Sequence, residues 1–220
     1  MNVNRRHCIA SLLSAFIAGN STVSWASSPR ATPNGTPRIL VIGDSLSAEY
    51  GLKRGTGWVA LLQLKLAAEA KPATVMNASI SGDTTSGGRS RLGALLTQHR
   101  PTVVVIALGA NDALRGLPLT MTRDNLSTMT QAAQKAGARV LLVGIQVPPN
   151  YGGNYGAQLT AAYTDVAKTY RTGLVPFLLK GIADVPDSLR WFQADRIHPK
   201  EEAQPTLLAN VWPALKKALE

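Results

Sequence analysis

Cysteine and histidine are scarce in this chain of 220 residues. The only cysteine is Cys8, which lies in an apolar segment near the amino terminus. The rest of the chain therefore has no disulfide, no thiol nucleophile and no cysteine metal site. Histidine occurs only as His7, His99 and His198. Because histidine is the usual base near neutral pH, few residues are available for acid–base chemistry.

The apolar run near the amino terminus is too short for a membrane anchor. It extends from Cys8 to Ala18, whereas a membrane-spanning helix needs about 20 residues. The run follows the basic pair Arg5-Arg6 and precedes small residues that end at Ala26. This order is typical of a secretory signal peptide. The sequence predicts Sec-type export to the periplasm or the exterior, with cleavage after Ala26.

Cleavage after residue 26 would leave enough chain for one domain and too little for two. Residues 27–37 are rich in proline, serine and threonine, and this composition predicts a flexible lead-in. Residues 38–220 are then the single folded domain, and we expect it to be a monomer.

Acidic residues are outnumbered, with 13 against 23 lysines and arginines. Removal of residues 1–26 would leave 21 basic residues and a formal charge of +8. The basic residues are dispersed, and no basic run is interleaved with aromatic residues, so we expect no nucleic-acid partner. The charge leaves open a transient contact with an anionic membrane surface.

Apolar runs of strand length alternate with amphipathic stretches along the chain. Continuous apolarity indicates strands buried on both faces, and the intervening helices imply parallel crossovers. The sequence therefore predicts an α/β fold, a three-layer α/β/α sandwich with a parallel, flavodoxin-like sheet of five strands. The predicted strands are Ile39–Ile42, a strand around Val75, Val103–Leu108, Val140–Val147 and Leu174–Phe177. The predicted helices are Trp58–Ala70, Arg89–His99, Arg123–Lys135, Leu159–Tyr170 and a last helix at the carboxyl terminus.

Small and polar segments follow four of the predicted strands. They are residues 43–47 (GDSLS), 79–84 (SISGDT), 109–112 (GAND) and 195–198 (DRIH). The carboxyl ends of parallel strands meet at one edge of a sheet, where ligands bind in folds of this class. We therefore expect the four segments to converge.

Serine hydrolysis needs a hydroxyl, a base, a group that orients the base, and donors for the oxyanion. Ser45 follows a buried strand, and His198 is three residues after Asp195, so one turn could join carboxylate and imidazole. The alternative is that Asp195 and Pro199 only start the last helix. His99 stands at a helix end before a proline, where a structural role is expected.

The four segments in this order resemble the GDSL or SGNH hydrolases. This resemblance implies a Ser45 nucleophile, with Asp195 and His198 completing the triad. It also implies an oxyanion hole formed by the backbone N–H groups of Ser45 and Gly82 and the amide of Asn111. No cofactor or metal is implied.

Within the family, the chain resembles bacterial periplasmic enzymes of the multifunctional thioesterase, arylesterase and lysophospholipase type. Residues 77–84, 109–116, 147–152 and 197–199 carry this likeness. Ala194 departs from it, because that group often has a second aspartate there. The implied function is a serine esterase acting on small-molecule esters, thioesters or lysophospholipids through an acyl-enzyme on Ser45.

Three other functions remain open at this point. The same triad suits an O-deacetylase of polysaccharides, and the same fold suits a non-catalytic module that binds lipid or carbohydrate. Four aspartates near strand ends could instead hold Mg²⁺ or accept a phosphoryl group: Asp44, Asp83, Asp112 and Asp195. In the serine hydrolase interpretation, the first three hold turns and caps. Leu114, Leu117, Tyr151 and Tyr155 either wall an acyl pocket or pack as ordinary loop residues.

Overall fold

The computed structural model describes residues 35–148 and 151–220. The predicted signal peptide, residues 1–26, lies outside this part of the chain, as do residues 27–34 of the predicted lead-in. Among the described residues, no helix has both the length and the apolarity needed to cross a membrane.

Five parallel strands form one sheet, in the spatial order β2-β1-β3-β4-β5. The strands are β1 (Arg38–Gly43), β2 (Thr74–Asn77), β3 (Val103–Ala107), β4 (Arg139–Val143) and β5 (Gly173–Val175). The inner strands β1 and β3 are apolar and, apart from Arg38, buried along their length, as expected where helices cover both faces. The predicted parallel sheet of five strands is confirmed.

Six α-helices cover the sheet in the described part of the chain. They are α1 (Trp58–Ala68), α2 (Thr85–His99), α3 (Ala110–Leu114), α4 (Leu119–Lys135), α5 (Gly153–Tyr170) and α6 (Gln204–Leu219). Helices α1 and α6 pack together on one face, whereas α2, α4 and α5 form the layer on the other. The fold is the predicted three-layer sandwich.

Three helices begin earlier than their apolar pattern predicts. Helices α2, α4 and α5 begin at Thr85, Leu119 and Gly153 rather than at Arg89, Arg123 and Leu159. The first turns of α2 and α5 are polar or glycine-rich, and that of α4 alternates apolar and polar residues, so helical periodicity does not reveal these starts. Thr84 caps α2 by accepting a hydrogen bond from the Gly87 N–H at 3.3 Å. Pro118 precedes α4 with φ −57°, a value already suited to a helix start.

The fourth strand ends earlier than predicted. β4 ends at Val143 rather than Val147. The Gly144 N–H still donates to the Val175 carbonyl at 2.8 Å, and the chain then leaves the sheet. Ile145 is outside the strand but still buried, and it forms part of the wall of the pocket described below. The apolar run in the sequence is therefore longer than the strand, because its last part contributes to the pocket wall.

Candidate active site

Ser45 lies in a tight turn directly after β1. The N–H groups of Ser47 and Ala48 both donate to the Asp44 carbonyl, at 3.1 and 3.0 Å. The Asp44 carboxylate accepts the Leu46 N–H at 3.0 Å. Burial raises the pKa of Asp44 to about 7, against the opposing effect of that N–H donor. Asp44 therefore closes the turn that holds Ser45 at the end of the strand.

Two side chains from neighbouring elements fix the far end of this turn. Asn77, at the end of β2, donates its amide to the Ser47 carbonyl at 2.7 Å. The indole N–H of Trp58 donates to the Ser47 hydroxyl at 3.3 Å. Ser47 also packs close to Gly43, where an added Cβ would lie 2.9 Å from its hydroxyl oxygen. These contacts hold the turn between β1, β2 and α1.

The loop before α6 brings His198 to Ser45. The His198 Nε2 atom lies 2.8 Å from Ser45 Oγ, and its Nδ1 atom lies 2.7 Å from Asp195 Oδ2. The other carboxylate oxygen, Oδ1, accepts the backbone N–H groups of Ile197 and His198 at 2.9 and 3.0 Å. The three side chains thus form a continuous hydrogen-bonded chain from carboxylate to hydroxyl.

The Asp195 carboxylate is strongly stabilised in its charged form. Partial burial raises its pKa, but the backbone hydrogen bonds from His198 and Ile197 and the contact with the imidazole outweigh burial and lower the pKa to about 2. Near neutral pH, Asp195 is therefore an anion facing His198 Nδ1. This arrangement favours the tautomer that carries its proton on Nδ1 and leaves Nε2 free to accept from Ser45.

A side chain that the sequence did not single out, Gln193, joins the histidine loop to the serine loop. Its N–H donates to the His198 carbonyl at 2.8 Å, and its side-chain amide donates to the Tyr50 carbonyl at 2.9 Å. The Tyr50 ring packs on the imidazole with 4.3 Å between ring centroids. Gly51 has φ +68°, and any side chain there would collide with Gln193. The backbone and side-chain amide of Gln193 and the ring of Tyr50 together position His198.

The residues expected to bind an oxyanion follow β2 and β3, and they line the same pocket as Ser45. Gly82 has φ +79° in the turn that Asp83 closes by donating to the Ile80 carbonyl at 3.1 Å. Asn111 is the second residue of α3, a helix that the sequence did not predict. Its amide nitrogen donates to the Asp83 carbonyl at 2.9 Å, which leaves its second N–H available.

A buried polar network ties the Asn111 segment to two longer helices. Asp112 is fully buried, and its carboxylate accepts the N–H and hydroxyl of Thr85 and, at 3.2 Å, the hydroxyl of Thr122. Asn125 donates to the Thr85 hydroxyl at 3.0 Å. Asp112 thus fastens α3 to the start of α2 and to α4, and so holds Asn111 in place.

The Asp83 carboxylate is held by neighbouring residues, and His99 lies at the end of a helix. The Asp83 carboxylate pairs with the Arg91 guanidinium at 2.7 Å and accepts the Thr84 N–H at 3.0 Å. His99 is the last residue of α2, which leads to the opposite edge of the sheet. Among residues 35–148 and 151–220, no three histidine, cysteine, aspartate or glutamate side chains are placed to hold a metal ion together.

A pocket of about 520 Å³ opens at Ser45 and His198. It includes Leu114, one of the four candidate pocket residues, but not Leu117, Tyr151 or Tyr155. Much of its wall comes from segments that follow β4 and β5. The apolar residues of the wall include Leu46, Ala110, Leu114, Ile145, Leu179, Ala183, Phe192 and Ile197. Such a wall accommodates hydrocarbon next to the Ser45 hydroxyl.

At the carboxyl edge of the parallel sheet, hydrogen bonds join a hydroxyl to an imidazole and the imidazole to a carboxylate. This is the geometry of a Ser-His-Asp hydrolase site. The chain belongs to the GDSL-like lipase/acylhydrolase family, whose family model matches residues 41–204. The family predicted from the four ordered segments is confirmed.

Several relatives with known names are similar over most of the chain. Esterase TesA of Pseudomonas aeruginosa is 52% identical over 82% of this chain and 89% of its own length. Thioesterase 1/protease 1/lysophospholipase L1 of Escherichia coli K12 is 41% identical over 76% of this chain and 77% of its own. The crystal structure of the psychrotrophic esterase EstA from Pseudoalteromonas sp., inhibited by monoethylphosphonate, matches with a TM-score of 0.77 and 42% identity, over 83% of this chain and 98% of that one.

Proposed function

We propose that this protein is a serine hydrolase that cleaves carboxylic esters and acyl thioesters through an acyl-enzyme on Ser45. The observation that carries the proposal is the continuous hydrogen-bonded chain from Asp195 through His198 to the Ser45 hydroxyl, at 2.7 and 2.8 Å. The apolar pocket at that hydroxyl and the names of the relatives support an acyl substrate.

In the proposed mechanism, His198 Nε2 takes the Ser45 proton while Oγ attacks the acyl carbon. The carbonyl oxygen becomes an oxyanion, which accepts hydrogen bonds from the N–H groups of Ser45 and Gly82 and from the Asn111 amide. His198 then gives its proton to the leaving oxygen or sulfur, and the acyl-enzyme forms. Water attacks this ester while His198 takes its proton, and His198 then returns that proton to Ser45 Oγ as the bond between Oγ and the acyl carbon breaks and the carboxylic acid leaves.

The pocket wall bears on the choice among substrates. Its apolar surface suits the hydrocarbon of an acyl or aryl group, which favours ester, thioester or lysophospholipid hydrolysis over deacetylation of a polysaccharide. No relative described above is named as a deacetylase or a binding module. We therefore propose aryl esters, acyl thioesters and lysophospholipids as the substrate class.

The experiment that tests this function uses p-nitrophenyl esters from acetyl to palmitoyl with the purified mature protein. We expect turnover that a chelator does not change, with a chain-length optimum set by the pocket. Absence of turnover on every ester would contradict the proposal. Loss of turnover on chelation would instead favour the metal-binding interpretation of the aspartates.

We also propose export, on the sequence of residues 1–26 alone. A protein recovered from outside the cytoplasm should begin at Ser27, which an intact-mass measurement checks. Recovery of the full-length chain from the membrane fraction would contradict cleavage after Ala26.

We further propose that the catalytic edge touches anionic phospholipid surfaces transiently. Six large apolar side chains there are between 39% and 58% exposed, and every strand is followed by at least one of them. They are Tyr50, Ile80, Leu114, Tyr151, Leu189 and Ile197. Lys53, Arg54, Arg115 and Arg190 lie on the same loops together with Glu49, Asp184 and Asp187, so the attraction to anionic lipid rests on the excess of basic residues in the whole chain.

A vesicle pelleting assay checks this contact. The wild type should pellet with vesicles that contain phosphatidylglycerol and less with phosphatidylcholine alone, because the charges attract anionic lipid. The double variant Ile80→Ser/Leu189→Ser should pellet several-fold less. Leu64→Ser, which removes a leucine that is 63% exposed on α1, is the matched control. Equal pelleting of the double variant and the wild type would overturn the proposal.

A further inference from the structure

Arg196 has an unusual backbone conformation beside the candidate active site. It stands between Asp195 and Ile197 with φ +59°, in the left-handed region. Residues other than glycine and asparagine rarely adopt this backbone conformation. The backbone strain that it causes is found most often at functional sites. Arg100 and Arg171 have the same conformation, so what distinguishes Arg196 is its place in the pocket wall.

Arg196 is exposed, and its side chain has no hydrogen-bond or ion-pair partner within the described part of the chain. It lines the pocket, and its guanidinium makes no hydrogen bond or ion pair with residues 35–148 or 151–220. The only other ionisable side chains in the pocket wall are Tyr50 and His198, and no carboxylate lines it. Within the described residues, the lining of this largely apolar pocket therefore includes one arginine and no carboxylate.

Arg196 belongs to the loop that carries His198, the residue that protonates the leaving group, and it lines the same pocket as Ser45. His198 gives its proton to the leaving atom, so that atom must be within hydrogen-bond reach of Nε2. Arg196 is two residues from His198 in the same loop, and the oxyanion donors Gly82 and Asn111 come from other loops. The other nearby arginine, Arg115, donates to the Gly82 carbonyl at 2.8 Å.

On the basis of the proposed function, we infer that Arg196 binds a phosphate carried by the leaving group of the substrate. A guanidinium matches phosphate oxygens with paired N–H donors and is always charged. Two kinds of substrate supply this chemistry: a lysophospholipid, whose leaving group is a glycerophosphodiester, and an acyl thioester of a phosphorylated thiol such as coenzyme A. Arg196 is then a specificity residue, and the acyl chain occupies the apolar wall.

Two pairs of substrates with the same acyl group separate these sources. The first pair is octanoyl-lysophosphatidylglycerol and 1-octanoylglycerol, and the second is octanoyl-coenzyme A and octanoyl-N-acetylcysteamine. Short chains keep all four below micelle formation, which removes any contribution from membrane contact. The readout is the ratio of kcat/KM for the phosphate-bearing member to that for its neutral partner.

The informative variants are Arg196→Asn, which is neutral and tolerates the left-handed backbone, and Arg196→Lys, which keeps the charge. We expect Arg196→Asn to lower the ratio at least about tenfold in one or both pairs, the size of one lost charge-assisted hydrogen bond. Arg196→Lys should retain part of the preference, and added salt should lower the wild-type ratio. The pair that responds identifies the source.

The matched control is Arg171→Asn. Arg171 is an exposed arginine with φ +52° at the carboxyl end of α5, so this variant loses the same charge from the same backbone conformation. Its ratios should equal those of the wild type. An unchanged ratio in Arg196→Asn, or an equal fall with both members of each pair, would overturn the inference. Failure of the wild type on all four substrates would instead contradict the proposed function.

Discussion

Replacement of Ser45 by alanine should lower kcat for ester hydrolysis about a millionfold, as expected when the nucleophile of a triad is lost. The change removes the hydroxyl oxygen that lies 2.8 Å from His198 Nε2 and attacks the acyl group in the proposed mechanism. The turn itself should persist, because it depends on Asp44 and on the backbone of Ser47 and Ala48. Steady-state turnover of the best p-nitrophenyl ester measures the loss.

Thermal unfolding and a second serine variant show whether the activity is lost with the nucleophile or through unfolding. Ser45→Ala should unfold within a few degrees of the wild type, since the one hydrogen bond of the Ser45 hydroxyl within the described residues is to His198. Ser86→Ala, an exposed position in the first turn of α2, should retain wild-type turnover. Substantial activity in folded Ser45→Ala would contradict the nucleophile assignment. Covalent labelling by an organophosphonate should likewise be lost in Ser45→Ala.

The fold could be predicted because its signals are local. A buried strand such as β3 needs five consecutive apolar residues, and that pattern is visible without knowledge of its neighbours. The helix starts were harder to predict, because the first turns of α2 and α4 lack helical apolar periodicity and follow the flanking residues Thr84 and Pro118. The short helix α3 was missed because it has no apolar periodicity; the buried contacts of Asp112 hold it.

Residues of the candidate site could be predicted only where a short stretch of sequence contains a recognisable motif. Ser45 and the Asp195–His198 spacing are each evident within a few residues, although the structure joins them across 153 positions. The bond from Gln193 to Tyr50 spans 143 positions, and neither residue has an unusual local sequence. The positive φ of Arg196 likewise follows from the turn that brings the Ile197 and His198 N–H groups to Asp195. Such features arise from tertiary contacts and need coordinates.

Asp195→Asn should lower kcat about ten-thousandfold, as expected when the triad carboxylate becomes an amide. Asp195 Oδ1 accepts two backbone N–H groups, and the carbonyl oxygen of an asparagine would keep those two donors. Its NH₂ group must then face His198 Nδ1. That contact selects the tautomer with its proton on Nε2, which can no longer take a proton from Ser45.

This loss should appear in kcat rather than in KM, because the pocket wall is unchanged and only the base is disabled. Asp187→Asn, an exposed aspartate with φ +55° in the same carboxyl-terminal region, is the matched control and should retain activity. Because the pKa of Asp195 is about 2, protonation of this carboxylate cannot explain any loss of wild-type activity between pH 5 and 7. If Asp195→Asn instead retained activity within tenfold, the hydrogen bond to His198 would not be setting the tautomer. The orientation of the imidazole would then depend on the Gln193 and Tyr50 contacts alone.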